Sequence, residues 1–202
     1  MHYIGIGTGL SYSNVLPNDK TIKKSFLKDR YFINYERFLD NRDMMFSDPS
    51  YSIEVGLIYS KKKFELNKSN SSLLNVELEF LNVPITFNYV LHDSRNHQKF
   101  DQNITYKLIL MAGVYSSFLL SQETSKLNDS QNELNISYPN IDYGLQFGTR
   151  IEFETFNVFS PFPIYLEYNF QYGLVNLKEI FPNSYNLTHS LSLGIKLPTT
   201  SF

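Results

Sequence analysis

Seven charged residues stand out by their setting: Glu54, Lys107, Asp142, Arg150, Glu152, Glu167 and Lys196. Each falls on the polar side of a stretch in which apolar and polar residues alternate, as in IDYGLQFGTRIEFE at 141–154. A strand sends alternate side chains to opposite faces, so such a stretch has one apolar and one polar face. Glu152 and Glu167 are the residue types of a general acid/base pair. All seven together, four acids and three bases, are instead a set that can neutralise itself, and buried charges need partners of opposite sign. We read them as a structural ion-pair network and not as catalysts.

Other constellations are weaker. His189 is followed by Ser190 and Ser192, the residue types of a nucleophile–base pair. On a strand both serines face away from His189, and Leu191 takes the same-face position, so His189 is expected to be a rim residue. His92, Asp93, His97 and Asp101 share one segment, but their spacing matches no strong metal template and a solvated turn is the expected reading. Lys61, Lys62 and Lys63 form a basic run that could meet anionic lipopolysaccharide headgroups or simply end a strand in water. The chain has no cysteine, which excludes disulfides, thiolate metal sites and cysteine nucleophiles. No cofactor is called for, and no residue is assigned to catalysis, to a cofactor or to a metal.

The elements that must position these charges are strands. Tyr and Phe together number 32 in 202 residues, Trp is absent and Ala112 is the single alanine. Aromatics favour strands and alanine favours helices, so the composition is all-β. Eight stretches show period-two patterning, near 3–13, 29–38, 51–60, 81–91, 104–120, 141–154, 164–174 and 187–197. In the fourth, the apolar set changes phase at Phe80–Leu81, which suggests a bulge. The intervening segments, such as VLPNDKTIKKSFLKD, SKKKFELNKSNSS and SQETSKLNDSQNELNIS, are polar and are expected to be loops. No linker or composition break divides the chain, so residues 1–202 are expected to form one domain. A formal net charge of −2 gives no nucleic-acid footprint.

Which face points inward decides the class. Gly5, Gly7, Gly9, Gly144, Gly148, Gly173 and Gly194 all lie on polar faces. Glycine on a solvent-facing strand weakens it and packs nothing, whereas the tight interior of a small barrel uses small residues beside large ones. The apolar faces carry Leu, Ile and Val, with Tyr12, Tyr51, Tyr59, Tyr89, Tyr106 and Tyr143 near strand ends, as in the aromatic girdles of outer-membrane barrels. The expected fold is therefore an all-β, eight-stranded antiparallel up-and-down transmembrane β-barrel, apolar face outward, lumen plugged by side chains. The rival is a soluble lipocalin-like carrier with the apolar face inside.

The stretches SIEVGLIYSKK, FLNVPITFNYVL, LMAGVYSSFLL, IDYGLQFGTRIEF and LEYNFQYGLVNL, in this order, resemble the strands of the PorT-type outer-membrane β-barrel family of Bacteroidetes. The resemblance covers most of residues 1–197. It departs at Asn82, where the family usually has Glu, and at Asn169, where it often has Arg, so one lumen ion pair of the family is expected to be missing. The resemblance implies the bacterial outer membrane, reached by a mature chain whose signal peptide has been removed. It does not imply one role. Both termini are expected on the periplasmic side, with the loops after the first, third, fifth and seventh strands outside. The expected function is that of a structural or interaction component, or a secretion accessory acting through its loops, and not an enzyme. Its partners would be outer-membrane lipid, lipopolysaccharide and other envelope or secretion proteins, with no nucleic acid. A narrow channel for small solutes is the alternative.

Overall fold

The computed structural model describes residues 2–16, 22–39, 51–68, 72–94, 104–126, 138–155, 162–175 and 185–199. The described residues form nine strands: β1 (His2–Leu16), β2 (Ile22–Phe26), β3 (Lys28–Phe38), β4 (Tyr51–Lys68), β5 (Ser72–Asp93), β6 (Ile104–Lys126), β7 (Ile141–Thr155), β8 (Ile164–Gly173) and β9 (Tyr185–Thr199). All pairings are antiparallel. The order β4-β3-β1-β9-β8-β7-β6-β5 is closed by β4–β5 into a ring of eight, and β2 continues β3 along β4 after a break at Leu27. Closure leaves no unpaired edge within the ring, as a lipid-facing sheet requires.

Register sets the size of the ring. Partners followed once around from Ile4, through Tyr35, Val55, Ile85, Val114, Leu145, Tyr172 and Leu187, lead back to β1 at Asn14, ten residues further along. Eight strands staggered in this way enclose a space that side chains can fill. The polar faces point into it. Gln146, Arg150, Asn169, Asn88 and Lys196 are among the most completely buried side chains. The apolar faces point out: Leu57, Ile85, Phe87, Val114, Phe147 and Leu193 are each about half exposed. The soluble-carrier alternative is thereby overturned, because a polar interior offers no lining for a hydrophobic ligand. Among the described residues no helix is long and apolar enough to cross a membrane, and strands do the crossing here.

All nine glycines lie on the lumen side of their strands, and two show why. A methyl on Gly194 would come 2.5 Å from Tyr165 Cζ, and one on Gly7 would collide with the Phe32 ring. Phe32, Tyr165 and Ile58 form a small apolar cluster in the space these glycines leave.

Three expectations about the strands change. First, the segment expected as a loop after β1 contains β2, β4 and β5 run well into the segment expected as a loop after Tyr59, and β6 runs into the one expected after the SSFLL stretch. Second, the phase change at Phe80–Leu81 is not a break in β5, whose even residues stay buried from Val76 to Asn88. The irregularity lies opposite, where Glu79 pairs with Ser121 and Phe80 with Leu119, leaving Leu120 of β6 as the extra residue. Third, β6 has a mixed pattern because Ile109, Met111 and Tyr115 face the lumen and are buried there.

Candidate functional site

The centre of the lumen is an ionic cross-brace. Arg150 on β7 is fully buried. Its Nη1 and Nη2 donate to Glu54 on β4 at 2.7 and 2.9 Å, and its Nε donates to Glu167 on β8 at 2.9 Å. Glu152 and Glu36 lie at 3.7 and 4.0 Å from the same guanidinium. Lys196 on β9 meets Glu36 on β3 at 2.5 Å and also contacts Glu152. Arg30 on β3 reaches Glu167 at 3.9 Å and donates to Ser190 Oγ. Tyr165 underlies the cluster, with the Arg150 guanidinium 4.6 Å from its ring centroid. The bidentate Arg–carboxylate fork is the strongest geometry available to such a pair. One arginine thus ties β7 to β4 across the barrel and to its neighbour β8.

The seven charges singled out in the sequence divide into three groups. Glu54, Arg150, Glu152, Glu167 and Lys196 meet in this cluster. Lys107 pairs with Glu154 at 3.1 Å, towards the end of the barrel that carries the termini. Asp142 lies at the opposite end, accepting from Tyr115 Oη at 3.2 Å and Asn186 Nδ2 at 3.0 Å. Sequence reasoning missed Glu36 and Arg30. Both sit on the polar face of β3, where alternation was weakest to the eye because Phe32 interrupts the polar set; their even numbering beside Asn34 was the available signal. Asn82 and Asn169 also face the lumen. Asn82 donates to Ser60 Oγ at 2.9 Å, and Asn169 accepts from Gln146 at 3.2 Å and donates to Glu167.

Beyond the ionic brace, at the end opposite the termini, β4, β5 and β6 rise as a collar. Its polarity is reversed. Phe64, Val76, Leu78 and Phe80 point inward and are buried, and Tyr138 packs edge-on against Phe80 at 5.5 Å. Outward, Lys61 pairs with Glu79 at 2.5 Å, and Glu77 lies 3.3 Å from Lys28 and 3.9 Å from Lys63. The basic run therefore splits. Lys61 and Lys63 face out, while Lys62 faces in and is buried, with its Nζ 4.7 Å from the Phe80 ring centroid. Burial pushes the Lys62 ammonium down to about 8. The Lys61 partner holds the Glu79 carboxyl below its ordinary value.

His189 lies on the outer face. Its Nδ1 is 2.7 Å from Tyr168 Oη, and Phe170 packs beside it at 5.2 Å. Ser190 and Ser192 are buried in the lumen. His92 stacks near Tyr106 at 5.5 Å, while His97 and Asp101 lie outside the described residues. Among the described residues no group of His, Asp and Glu has the arrangement of a metal site.

Known proteins bear on this architecture. The chain superposes on OprG, an outer membrane protein of Pseudomonas aeruginosa, with a TM-score of 0.57, 10% identity, and coverage of 98% of this chain and 96% of that one. Neisserial surface protein A is similar at a TM-score of 0.47, 9% identity and 98% and 97% coverage. Ail, the attachment invasion locus protein of Yersinia pestis, follows at 0.41, 11% identity and 97% coverage of each chain. At such identities the OprG likeness speaks to the fold alone. No curated protein sequence matches the chain. The sequence profile of one family, described as outer membrane protein beta-barrel domain, matches residues 2–179. With its closed ring, outward apolar face and buried polar lumen, the chain belongs to the outer membrane protein beta-barrel domain family and is a protein of the bacterial outer membrane.

Proposed function

We propose that this barrel is a closed scaffold that works through its outer surface, as a structural or interaction component or as an accessory of a secretion assembly. The observation that carries this reading is the brace from Arg150 to Glu54 and Glu167, joined by Lys196 between Glu36 and Glu152. It fills the cross-section with paired charges, and an eight-stranded ring leaves little space besides. Side chains so bound to one another are poorly available to a passing solute or substrate. The end bearing the termini is taken as periplasmic and the collar as external. Specificity then belongs to the collar and the segments next to it, since loops on a rigid scaffold are where binding residues concentrate.

Lys28, Lys61 and Lys63 at the collar base are the candidate contacts for lipopolysaccharide phosphates, set against Glu77 and Glu79. The ordered strand motifs support a PorT-type Bacteroidetes membership and, with it, envelope or secretion proteins as partners. His189 held by Tyr168, with Ser190 buried on the other face, supports a non-catalytic role. The test is conductance in planar bilayers. The purified barrel is expected to give no stable single-channel step. A stable, sizeable step from the unaltered protein overturns the closed-scaffold reading and favours a narrow channel for small solutes.

A further inference from the structure

Much of the lipid-facing surface of the barrel is built of large side chains, and between three of its strands it is notched. Phe87 of β5, Ala112 of β6 and Phe147 of β7 are Cα partners in one row across three strands. Ala112 is the single alanine of the chain, set between two phenylalanines. The result is a groove of about 360 Å³ walled by Phe87, Tyr89, Leu110 and Phe147, with Ala112 at its base beside Met111 and Gly148, which face the lumen on the other side of the sheet. A cavity of roughly 150 Å³ already holds a benzene ring, so this one takes a length of chain and not a single methyl group.

We propose that this groove seats an acyl chain of a membrane phospholipid. Three observations converge on that occupant. The groove is continuous with the apolar outer face, whose neighbours Ile85, Leu110, Val114 and Leu145 are exposed to the bilayer, so hydrocarbon reaches it without desolvating anything polar. Its lining is aromatic and aliphatic apart from the hydroxyl of Tyr89, which suits a hydrocarbon tail better than a headgroup. Its position also fits: Tyr89 pairs with Tyr51, the first residue of β4, so the groove lies on the half of the barrel that carries the termini, which is taken as the periplasmic half. The gain is contact, because packing an acyl chain against fixed aromatic walls replaces the loose contacts of bulk lipid.

The test is native mass spectrometry of the detergent-purified barrel after incubation with phosphatidylethanolamine in mixed micelles. The unaltered protein is expected to retain one phospholipid at energies that strip the rest. Ala112→Phe fills the groove and is expected to lower that species at least about tenfold, which corresponds to about 1.4 kcal/mol. Phe147→Ala removes a wall instead of filling the space and is expected to lower it as well. Val114→Phe, one outward position above the groove, is expected to leave it unchanged, and a heat-dependent gel shift in each variant reports an intact barrel. Equal retention by Ala112→Phe and the unaltered protein overturns the proposal, as does the absence of any retained lipid from the unaltered protein. A species of twice the chain mass that disappears in Ala112→Phe also overturns it and makes a second copy the occupant.

Discussion

The membrane-spanning ring and the collar above it are built from the same strands with opposite polarity. Along β5, Pro84, Thr86 and Asn88 face a polar lumen while Ile85, Phe87 and Tyr89 face lipid. A few residues up the same strand, Val76, Leu78 and Phe80 face inward and Asn75, Glu77 and Glu79 face out. The backbone alternation does not change between the two, so the solvent does. In the bilayer, apolar side chains lose nothing by facing out, and the lumen must satisfy its polar groups internally. Above it, water takes the place of lipid, and the hydrophobic effect again drives Leu and Phe inward. The collar is a small water-soluble β structure on top of a membrane one.

The largest test of that contrast is Arg150→Met. It leaves Glu54, Glu167, Glu36 and Glu152 crowded around an apolar side chain, and breaking a buried pair in this way costs about 3–5 kcal/mol. Urea unfolding of the barrel in lipid vesicles is expected to show a much lower midpoint. An unchanged midpoint would mean that the lumen tolerates uncompensated charge and is wetter than its packing implies.

A sharper comparison places one new charge on the outer face of each region. Leu57→Lys enters the lipid band, where a cation costs about 2–4 kcal/mol near the bilayer centre. Asn75→Lys enters the collar and is expected to move the same unfolding midpoint little. Similar losses from both substitutions would put the collar inside the membrane and end the distinction.

Lys62 gives a pH test confined to the collar. Its ammonium is lowered by burial from 10.5 to about 8. Below pH 8 the lysine is protonated whether the chain is folded or not, and the full cost of burying the charge is present. Between about 8 and 10.5 the folded chain releases the proton while the unfolded chain keeps it, so stability rises with pH, by at most about 3 kcal/mol. Lys62→Met is expected to be more stable at pH 7 and to lack this rise. The two chains should converge near pH 10.5, measured as the difference between their unfolding midpoints.

The smallest effect is expected from Glu79→Gln. It removes the outward pair with Lys61 in a water-exposed setting, where ion pairs contribute little and salt screens them. No resolvable midpoint change is expected at moderate salt. A clear loss would assign the collar's outer charges a structural task, and binding assays on lipopolysaccharide would then need a different variant.

Much of this was legible in the chain itself. Alternation in 141–154 assigns Asp142, Gln146, Arg150 and Glu152 to one face, and the structure has these four buried in the lumen. The glycines on polar faces pointed to a crowded interior, and Gly194 against Tyr165 is such a contact. The strand lengths were less legible. KKKFEL looked like a loop because its outward residues are charged, which is what a strand displays once it has left the bilayer. The shift at Phe80–Leu81 suggested a bulge in β5, whereas it marks the change of surroundings; the extra residue, Leu120, is on the partner strand.

What the sequence determined by itself is local. Period two follows from backbone geometry within a strand, so the two faces, their apolar or polar character and hence the membrane fold could be read residue by residue. Which charges meet is not local. Arg150 binds Glu54, 96 residues away in the chain, because the stagger of the ring brings β4 and β7 to the same height on opposite walls. The same stagger brings in Glu36, leaves Asp142 to Tyr115 and Asn186, and gives Lys107 to Glu154. Register and closure are properties of all eight strands together, so only the tertiary structure could decide them.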